Sequence, residues 1–297
     1  MAGPQELIDA LTGFGAAERL RAMDDAGELT TLIPELESGR GFVQPERHYY
    51  TVLDHNIAAV AALESAIGDG ADGQELRASL AWIDLDPSLD REIEGLPLVT
   101  VLRLAALVHD VAKPATATLV DGQLRFPRHG PRGAEMMRER LPQLGFGPEV
   151  TDFVARMLRY HLRPGELIRN RPITDRAVRR FATDLDGHVL PLMLLNLADG
   201  MATRGPGYTR ENFRIHCGLV NYVVAHAWSV FEQPEAPLIT GEDLIRDFDL
   251  ESGRLLGAVL TSVRRAQEAG TVSNREEAMV LARETLASMR NGDTPVR

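Results

Sequence analysis

Two adjacent polar residues, His109 and Asp110, end an apolar run that extends from Leu104 to Val108. The run is typical of a buried helix, and Pro114 predicts the end of that helix because proline lacks the N–H that a continuing helix needs. An imidazole beside a carboxylate can ligate one divalent cation, or one group can hold a proton for the other. The pair alone also fits a helix terminus whose two polar groups are satisfied locally.

Two more residues of the same chemical types are predicted on separate helices. His55 lies near the start of a helix predicted within residues 48–67, whose apolar positions begin at Leu53. Asp199 is the one carboxylate of an apolar helix predicted over residues 191–199, where an unpaired charge would be costly to bury. It therefore needs a metal, an arginine or a hydrogen-bond network as its partner. Since helix bundles build metal sites from facing helices, one cation could be held by His55, His109, Asp110 and Asp199.

His129 and His161 add two imidazoles at predicted helix edges. They could complete a second cation site with the other oxygen of Asp110, hydrogen-bond a substrate phosphate, or bond within the bundle. Two ions a few ångströms apart suit phosphoryl chemistry, because one generates hydroxide and both neutralise phosphate charge. Mixed imidazole and carboxylate ligands favour transition metals over calcium. We therefore expect one or two divalent ions per chain, of Mn, Fe, Co, Ni, Mg or Zn.

Composition and charge narrow the class of protein. The chain has 297 residues, of which 44% are hydrophobic and 25% charged, as in a soluble globular protein. Its net charge of −11 opposes an extensive nucleic-acid-binding surface but leaves room for a local basic patch. The single cysteine, Cys217, excludes an internal disulfide and a cysteine-rich metal site. With no secretory signal and no apolar run approaching ~20 residues, we expect a cytoplasmic protein without membrane association.

The order of elements predicts an all-α helical bundle with one short β-hairpin. We expect packing helices over residues 1–45, a metal-binding domain over 46–205 and a helical extension over 206–297. The hairpin signal is Asp121-Gly122 between two short alternating segments, and no other β-structure is expected. Residues 68–98, rich in Gly, Asp and Pro, are expected to form a long connection with one short helix.

The order His55, His109-Asp110 with Lys113-Pro114, then Asp199, resembles the HD superfamily of metal-dependent phosphohydrolases. Longer segments resemble the HD region of bacterial CCA-adding tRNA nucleotidyltransferases and related poly(A) polymerases. The segments that carry this closer resemblance include Ala106–Pro114, Phe126–Ala134, Tyr160–Pro164 and Leu238–Leu244. The resemblance covers roughly residues 20–285 with several separate motifs, and it implies an all-α HD fold.

The resemblance also implies a reaction and residue roles. The reaction would be hydrolysis of phosphomonoesters or 2′,3′-cyclic phosphodiesters of nucleotides or RNA ends by attack of a metal-bound hydroxide. Asp110 would serve catalysis besides holding metal, and Lys113 would contact phosphate. Further substrate contacts are expected from guanidinium groups near the ligands in sequence, namely Arg132, Arg163 and Arg204. For each of these an ordinary surface ion pair fits equally well, and Asn196 and Tyr208 are expected to have core or surface roles.

One feature of the nucleotidyltransferases has no counterpart in this sequence. Their Gly-rich segment followed by paired acidic residues is not matched, since Gly13–Ala17 is too short and lacks the acids. We therefore expect a free-standing HD domain with a helical extension, and no nucleotide addition. The alternative is a non-catalytic RNA- or partner-binding module. The complete set of His and Asp residues favours the hydrolase, because a binding module has no physical need for them at every metal position.

Overall fold

Helices form most of the protein, as the apolar periodicity of the sequence predicts. The computed structural model describes residues 4–169, 173–232, 237–250, 253–268 and 270–290. The first helices are α1 (Pro4–Leu11), α2 (Ala16–Asp25), α3 (Glu28–Leu32), α4 (Val52–Ile67), α5 (Ala71–Ser79) and α6 (Leu85–Asp90). They are followed by α7 (Leu98–Val108), α8 (His129–Gln143), α9 (Pro148–Tyr160) and α10 (Arg163–Arg169). Short 3-10 turns cover Pro34–Gly39, Pro114–Thr116 and Gly205–Gly207.

The remaining helices are α11 (Asp175–Asp184), α12 (Val189–Arg204), α13 (Arg210–Glu232), α14 (Gly241–Phe248), α15 (Arg254–Glu268) and α16 (Arg275–Arg290). The chain divides into two compact units. The first comprises residues 1–170 and 188–225, and the second comprises residues 171–187 and 226–297. The domain boundaries expected from the sequence, after residues 45 and 205, remain a proposal. Within the described ranges no helix is both long and apolar enough to cross a membrane.

The core of the first unit is built on α7, which is buried on every side although it carries Thr100 and Arg103 among its apolar residues. A helix buried all round must be covered all round, and α4, α9 and α12 pack against it. The long helix α12 also packs against α4, and α8 packs against α9. These five helices carry or adjoin every residue predicted to ligate metal, so the same packing that buries α7 also brings those residues towards one another.

A polar network ties the N-terminal helices to this core. Glu64 on α4 accepts hydrogen bonds from the first backbone N–H groups of α2, at Ala16 (2.9 Å) and Ala17 (3.1 Å). A carboxylate at a helix N-terminus satisfies N–H groups that have no partner within the helix. The buried Arg103 of α7 lies 3.6 Å from the same carboxylate and donates to the carbonyl oxygen of Leu11 at 3.0 Å. The predicted packing role of the N-terminal helices thus has a specific polar anchor.

The predicted hairpin is present, but a second one makes the expectation of a single hairpin wrong. Strands β3 (Thr118–Val120) and β4 (Gln123–Arg125) pair antiparallel around Asp121-Gly122. Strands β1 (Glu92–Ile93) and β2 (Leu96–Pro97) form an equivalent pair around Glu94-Gly95. In both turns the two central residues have positive φ, the requirement of a type I′ turn. Glutamate is an uncommon first residue of such a turn, which is why the signal was missed.

The segment 68–98 is also more structured than expected. It contains α5, α6 and the β1–β2 hairpin instead of one short helix in a long connection. The carboxylate of Glu94, at the tip of the hairpin, accepts a hydrogen bond from the backbone N–H of Val150 in the first turn of α9 at 3.1 Å. The hairpin therefore caps a helix that is distant in sequence, and such a contact has no local signature.

The second unit has its own hydrophobic core. The members of this core are Ile239, Leu244, Leu250, Val259, Val263, Val272, Ala278, Ala282 and Leu286. At the start of α14, Thr240 and Asp243 form a capping box, in which each side chain bonds the other residue's backbone N–H. Asp243 also pairs with Arg275 of α16 at 2.6 Å. The predicted amphipathic helices of the C-terminal region therefore assemble around a common apolar interior.

Candidate metal centre

Three of the predicted histidines are oriented by the same kind of local hydrogen bond. The Nδ1 atoms of His109, His129 and His161 lie 2.7–2.8 Å from the carbonyl oxygen of the residue three positions earlier. A histidine just after a helix can donate to one of the last carbonyls, which have no partner within the helix. His109 and His161 occupy this position after α7 and α9. Because Nδ1 of each ring donates to a carbonyl oxygen, Nε2 is the nitrogen left to bind a metal, which would displace any proton on it.

The Nε2 atoms of these three histidines and of His55 converge on the two oxygens of one buried carboxylate, that of Asp110. Oδ2 lies 3.3 Å from the Nε2 atoms of both His55 and His109. Oδ1 lies 3.2 Å from Nε2 of His129 and 3.6 Å from Nε2 of His161. Asp110 thus stands between two pairs of imidazoles and presents one oxygen to each pair.

The carboxylate of Asp199 lies beside the imidazoles of His55 and His109. Its Oδ1 lies 3.1 Å from Nε2 of His55 and 3.7 Å from Nε2 of His109, and it accepts a hydrogen bond from the Thr203 hydroxyl at 3.1 Å. The residues form two groups that share Asp110. Within each group the ligand atoms all lie within 4.8 Å of one another. The first group is His55, His109, Asp110 and Asp199, and the second is Asp110, His129 and His161.

The ligand atoms fit divalent cations in both chemistry and spacing. Imidazole nitrogen and carboxylate oxygen suit transition metals, and atoms bound ~2.1 Å from one ion stand roughly 3.0–3.5 Å apart. Nε2 of His129 faces Nε2 of His161 at 3.1 Å, while both Nδ1 atoms are committed to carbonyl oxygens. Two lone pairs that face each other at this distance require a cation or a proton between them. The residues present could therefore hold a metal ion in each group.

The charges of the cluster shift the pKa values of its members strongly. Burial acts to raise the pKa of the Asp110 carboxyl, but the charges of Lys113 and His109 outweigh it and hold this pKa well below its usual range. Burial acts to lower the pKa of His109, but Asp110 and Asp199 reverse the effect and raise it to about 10. For His161, burial prevails and lowers the pKa to about 3. Burial likewise acts to raise the pKa of Asp199, but hydrogen bonds from His109 and His55 hold it well below its usual range. Both carboxylates are therefore charged at neutral pH, and together they favour a cation.

Lys113 is drawn into the centre, as its place after the His-Asp pair predicts. Its ammonium group lies 2.5 Å from Oδ2 of Asp110 and 2.7 Å from Oε1 of Gln44, and the residue is 6% exposed. Nε2 of His48 lies 3.5 Å from the same ammonium group. Burial, and then the charge of Lys113, lower the pKa of His48 to about 4. Gln44 and His48 were not predicted, because neither belongs to a helix with the metal residues and no spacing links them to Lys113.

The centre opens into a cavity of about 730 Å³ that lies wholly within the first unit. Its lining includes Asp110, Lys113, His129, His161 and Asp199 together with the cationic side chains of Arg47, Arg125 and Arg204. Of the three arginines predicted as substrate contacts, only Arg204 is in this lining. Arg132 is exposed and pairs with Glu135 at 3.0 Å, and the guanidinium group of Arg163 lies over the Tyr160 ring. Asn196 and Tyr208, expected in core or surface roles, line the cavity.

Comparison with known proteins identifies a family for part of the chain. Residues 88–186 match the HD domain family. The chain contains an HD domain. The matched range includes His109, Asp110, His129 and His161, whereas His55 and Asp199 lie outside it and are joined to them by the packing of α4 and α12 against α7. The family resemblance inferred from the motifs is thereby confirmed.

The chain is also homologous to tRNA nucleotidyltransferases. It is 29% identical over 285 residues to the CC-adding tRNA nucleotidyltransferase of Thermus thermophilus, an alignment that covers 92% of this chain and 54% of that protein. It is 27% identical over 277 residues to the A-adding tRNA nucleotidyltransferase of Deinococcus radiodurans, covering 92% and 55%. A bifunctional uridylyltransferase/uridylyl-removing enzyme of Erythrobacter litoralis is 30% identical over 67% of this chain and 20% of that protein. The chain thus spans about half the length of the two nucleotidyltransferases.

Proposed function

We propose that this protein is a metal-dependent phosphohydrolase that acts on phosphomonoesters or 2′,3′-cyclic phosphodiesters of nucleotides or RNA ends. The observation that carries the proposal is Asp110, whose two oxygens face two separate pairs of imidazole nitrogens at 3.2–3.6 Å. The first ion would be held by His55, His109, Asp110 and Asp199, and the second by Asp110, His129 and His161. Ions bound there would supply a nucleophilic hydroxide near neutral pH and neutralise charge on the phosphate.

The protein's own cationic side chains would bind and orient the substrate. Lys113 lines the cavity beside Asp110, and Arg47, Arg125 and Arg204 line the same cavity. Guanidinium groups match phosphate oxygens in bidentate geometry, so a phosphate would be drawn to this wall although the whole chain carries a net charge of −11. The cavity also has the volume of a typical small-molecule site, which suits a nucleotide or the terminal residue of an RNA.

The attacking group is proposed to be water, with no covalent intermediate on the protein. Among the described residues that line the cavity there is no serine or cysteine, and Cys217 is buried elsewhere. In this proposal Asp110 would hold the metal and would also take a proton from the attacking water. Hydrolysis in ¹⁸O-labelled water under single-turnover conditions should therefore place the label in the released phosphate. Unlabelled phosphate, or a trapped phosphorylated side chain, would exclude direct attack.

A second candidate function is a non-catalytic module that binds RNA or a protein partner. Its support is that similarity to the two tRNA nucleotidyltransferases extends over 92% of this chain, well beyond residues 88–186. This reading predicts binding without turnover. The charged, inward-facing metal residues favour the hydrolase, since a binding surface gains nothing from burying them.

One experiment separates the two functions. Metal content is measured on purified protein, and turnover of p-nitrophenyl phosphate and bis-p-nitrophenyl phosphate is then assayed with Mn²⁺, Co²⁺ or Ni²⁺. The matched control is Asp110→Asn, which keeps the size of the side chain and removes its charge. Turnover in wild type that disappears in Asp110→Asn supports the hydrolase. Metal binding with no turnover of these esters, nucleotides, cyclic nucleotides or phosphorylated RNA ends supports the binding module.

A further inference from the structure

A hydrogen-bonded chain crosses from α12 to α13 at the wall of the cavity. The hydroxyl of Tyr208 lies 2.9 Å from Nδ1 of His216, and Nε2 of His216 lies 3.0 Å from Oδ1 of Asn196. All three residues line the cavity. None belongs to the metal groups, and the function proposed above assigns no role to any of them.

The donor and the acceptor of each hydrogen bond among these three side chains can be assigned. Burial keeps the His216 imidazole neutral by lowering its pKa to about 4, so the ring has one donor nitrogen and one acceptor nitrogen. Oδ1 of Asn196 can only accept, which places the ring proton on Nε2 and leaves Nδ1 to accept from the Tyr208 hydroxyl. The amide nitrogen of Asn196 is consequently turned away from His216, and it donates to no residue within the described ranges.

The backbone makes room for this arrangement. A Cβ atom at Gly200 would lie only 3.0 Å from Cε1 and 3.2 Å from Nδ1 of the His216 ring, so the glycine lets the imidazole lie directly against α12. Asn196, Asp199 and Gly200 share one face of that helix at spacings of three and four residues. Side chains three positions apart on a helix are neighbours, with Cβ atoms ~5–6 Å apart. The free amide of Asn196 therefore stands one helical turn from the carboxylate of Asp199.

We propose that Asn196 donates a hydrogen bond to a non-bridging phosphoryl oxygen of the substrate, and that His216 and Tyr208 are positioning residues that hold the Asn196 amide in this orientation. The inference rests on the proposed phosphohydrolase function and adds a substrate-binding contact to it. A phosphate seated at the Asp199 end of the metal groups would present an oxygen to this wall. If these hydrogen bonds were purely structural, they would join α12 to α13, and the amide nitrogen of Asn196 would bind no ligand.

The test measures binding of inorganic phosphate to Mn²⁺-loaded protein by calorimetry, alongside metal content. Asn196→Ala should keep its metal and weaken phosphate affinity by roughly tenfold, the effect of losing a hydrogen bond to a charged group. Asn196→Asp should weaken it further, because it sets a negative charge against the anion. The matched control is Asn221→Ala on α13, whose side chain bonds Trp82 outside the cavity and which should bind phosphate as wild type does.

The positioning role has a readout of its own in metal-free protein. Nitrogen NMR should show His216 with its proton on Nε2 in wild type and a mixture of the two tautomers in Tyr208→Phe. Phosphate affinity should fall roughly threefold in Tyr208→Phe and further in His216→Leu, and His216→Gln should restore part of it by supplying an N–H to Asn196.

Each outcome bears on one proposal or the other. Unchanged phosphate affinity in Asn196→Ala, in a preparation whose wild type binds metal and turns over phosphate esters, overturns the inference and leaves the hydrolase standing. A wild-type proton on Nδ1 of His216 overturns the positioning role. Wild-type protein that binds no metal overturns the proposed function and the inference with it.

Discussion

At the scale of single residues, one carboxylate determines what the centre can do. Asp110 is 2% exposed, yet five cationic or titratable side chains surround it, namely His55, His109, Lys113, His129 and His161. A charge buried this deeply is tolerated only when it is paired and hydrogen-bonded. Lys113 supplies one fixed positive charge on Oδ2. Oδ1 faces only imidazoles whose Nδ1 protons are already committed, so it is the oxygen with the greatest need of a cation.

The metal residues give the first prediction. His55→Ala and Asp199→Ala should each lose bound metal and reduce turnover of p-nitrophenyl phosphate by more than roughly 100-fold, since even partners of metal ligands are worth 10–100-fold. Metal analysis and circular dichroism would separate ligand loss from unfolding. His226→Ala, which removes a histidine that pairs with Asp175 in the second unit, is the control and should retain both metal and activity. Full metal occupancy in either variant would show that the residue is no ligand.

Lys113 gives the second prediction. Lys113→Ala should leave metal affinity equal or tighter, because a competing positive charge leaves Oδ2 of Asp110, while turnover falls by roughly 10- to 100-fold through loss of a charged contact to phosphate. Steady-state kinetics and a metal titration on the same preparation measure the two effects. Arg132→Ala, outside the cavity, should behave as wild type. Loss of metal in Lys113→Ala would instead indicate that the lysine holds the carboxylate in place for the ion.

Two half-buried histidines, His48 and His216, give a pH prediction. His216 and His48 have pKa values near 4 in the folded protein and near 6.5 when unfolded. Between these values the unfolded chain binds more protons, so stability should fall as pH decreases from 6.5 towards 4 and should not change through these groups above 6.5. Thermal unfolding of chelator-treated protein at several pH values measures this. His216→Gln should flatten the slope, and an unaltered slope would mean that His216 is not held neutral.

At the scale of elements, the approach of α8 to the end of α9 decides whether the second group of ligands forms. A Cβ atom at Gly130 would lie 2.6 Å from the carbonyl oxygen of Leu158, the same oxygen that accepts from Nδ1 of His161. Only glycine therefore lets α8 begin close enough for His129 and His161 to face each other at 3.1 Å. The residue carries no chemistry of its own, and its effect is purely geometric.

Gly130→Ala should accordingly disturb the second ion more than the first. The added methyl group must push α8 away from backbone atoms that cannot move freely, which overpacking data put at about 1–3 kcal/mol of stability. We expect metal stoichiometry to drop by one ion with His55 and Asp199 still in place. Metal analysis after dialysis and denaturant unfolding measure the two effects. Gly133→Ala on the same helix, where the nearest atom would be 3.4 Å away, is the matched control. Equal losses in both variants would contradict the prediction.

Sequence patterns predicted these elements unevenly, for physical reasons. Helix α9 (Pro148–Tyr160) is clearly marked in the sequence, because Gly147 and Pro148 signal its start and its apolar positions recur with helical spacing. The roles of Gln44, His48 and His216 were missed. Each contributes through contacts between segments that are distant in sequence, such as the 69 residues that separate Gln44 from Lys113. Local periodicity reports which face of a helix is apolar, but it carries no information on which polar side chains meet across helices.

At the scale of the whole molecule, the positive charges are not spread evenly over an otherwise acidic protein. The chain carries a net charge of −11, yet the described cavity gathers Arg47, Lys113, Arg125 and Arg204 at the metal groups. The acidic remainder disfavours non-specific binding to nucleic acid, so affinity for phosphate is confined to one place. The proposed metal ligands are likewise confined to one part of the protein, because all of them lie in the first unit.

The last prediction follows from that distribution. The proposed ligands come from or adjoin α4, α7, α8, α9 and α12, so bound ions would cross-link the helices that surround α7. Mn²⁺ should therefore raise the melting temperature in proportion to the logarithm of its concentration above the dissociation constant. Hydrogen exchange should slow in α4, α7, α8, α9 and α12 and remain unchanged in α14, α15 and α16, which carry none of the proposed ligands. Asp110→Asn, which weakens both sites at once, should abolish the protection, whereas equal protection of both units by Mn²⁺ would refute a localised cross-link.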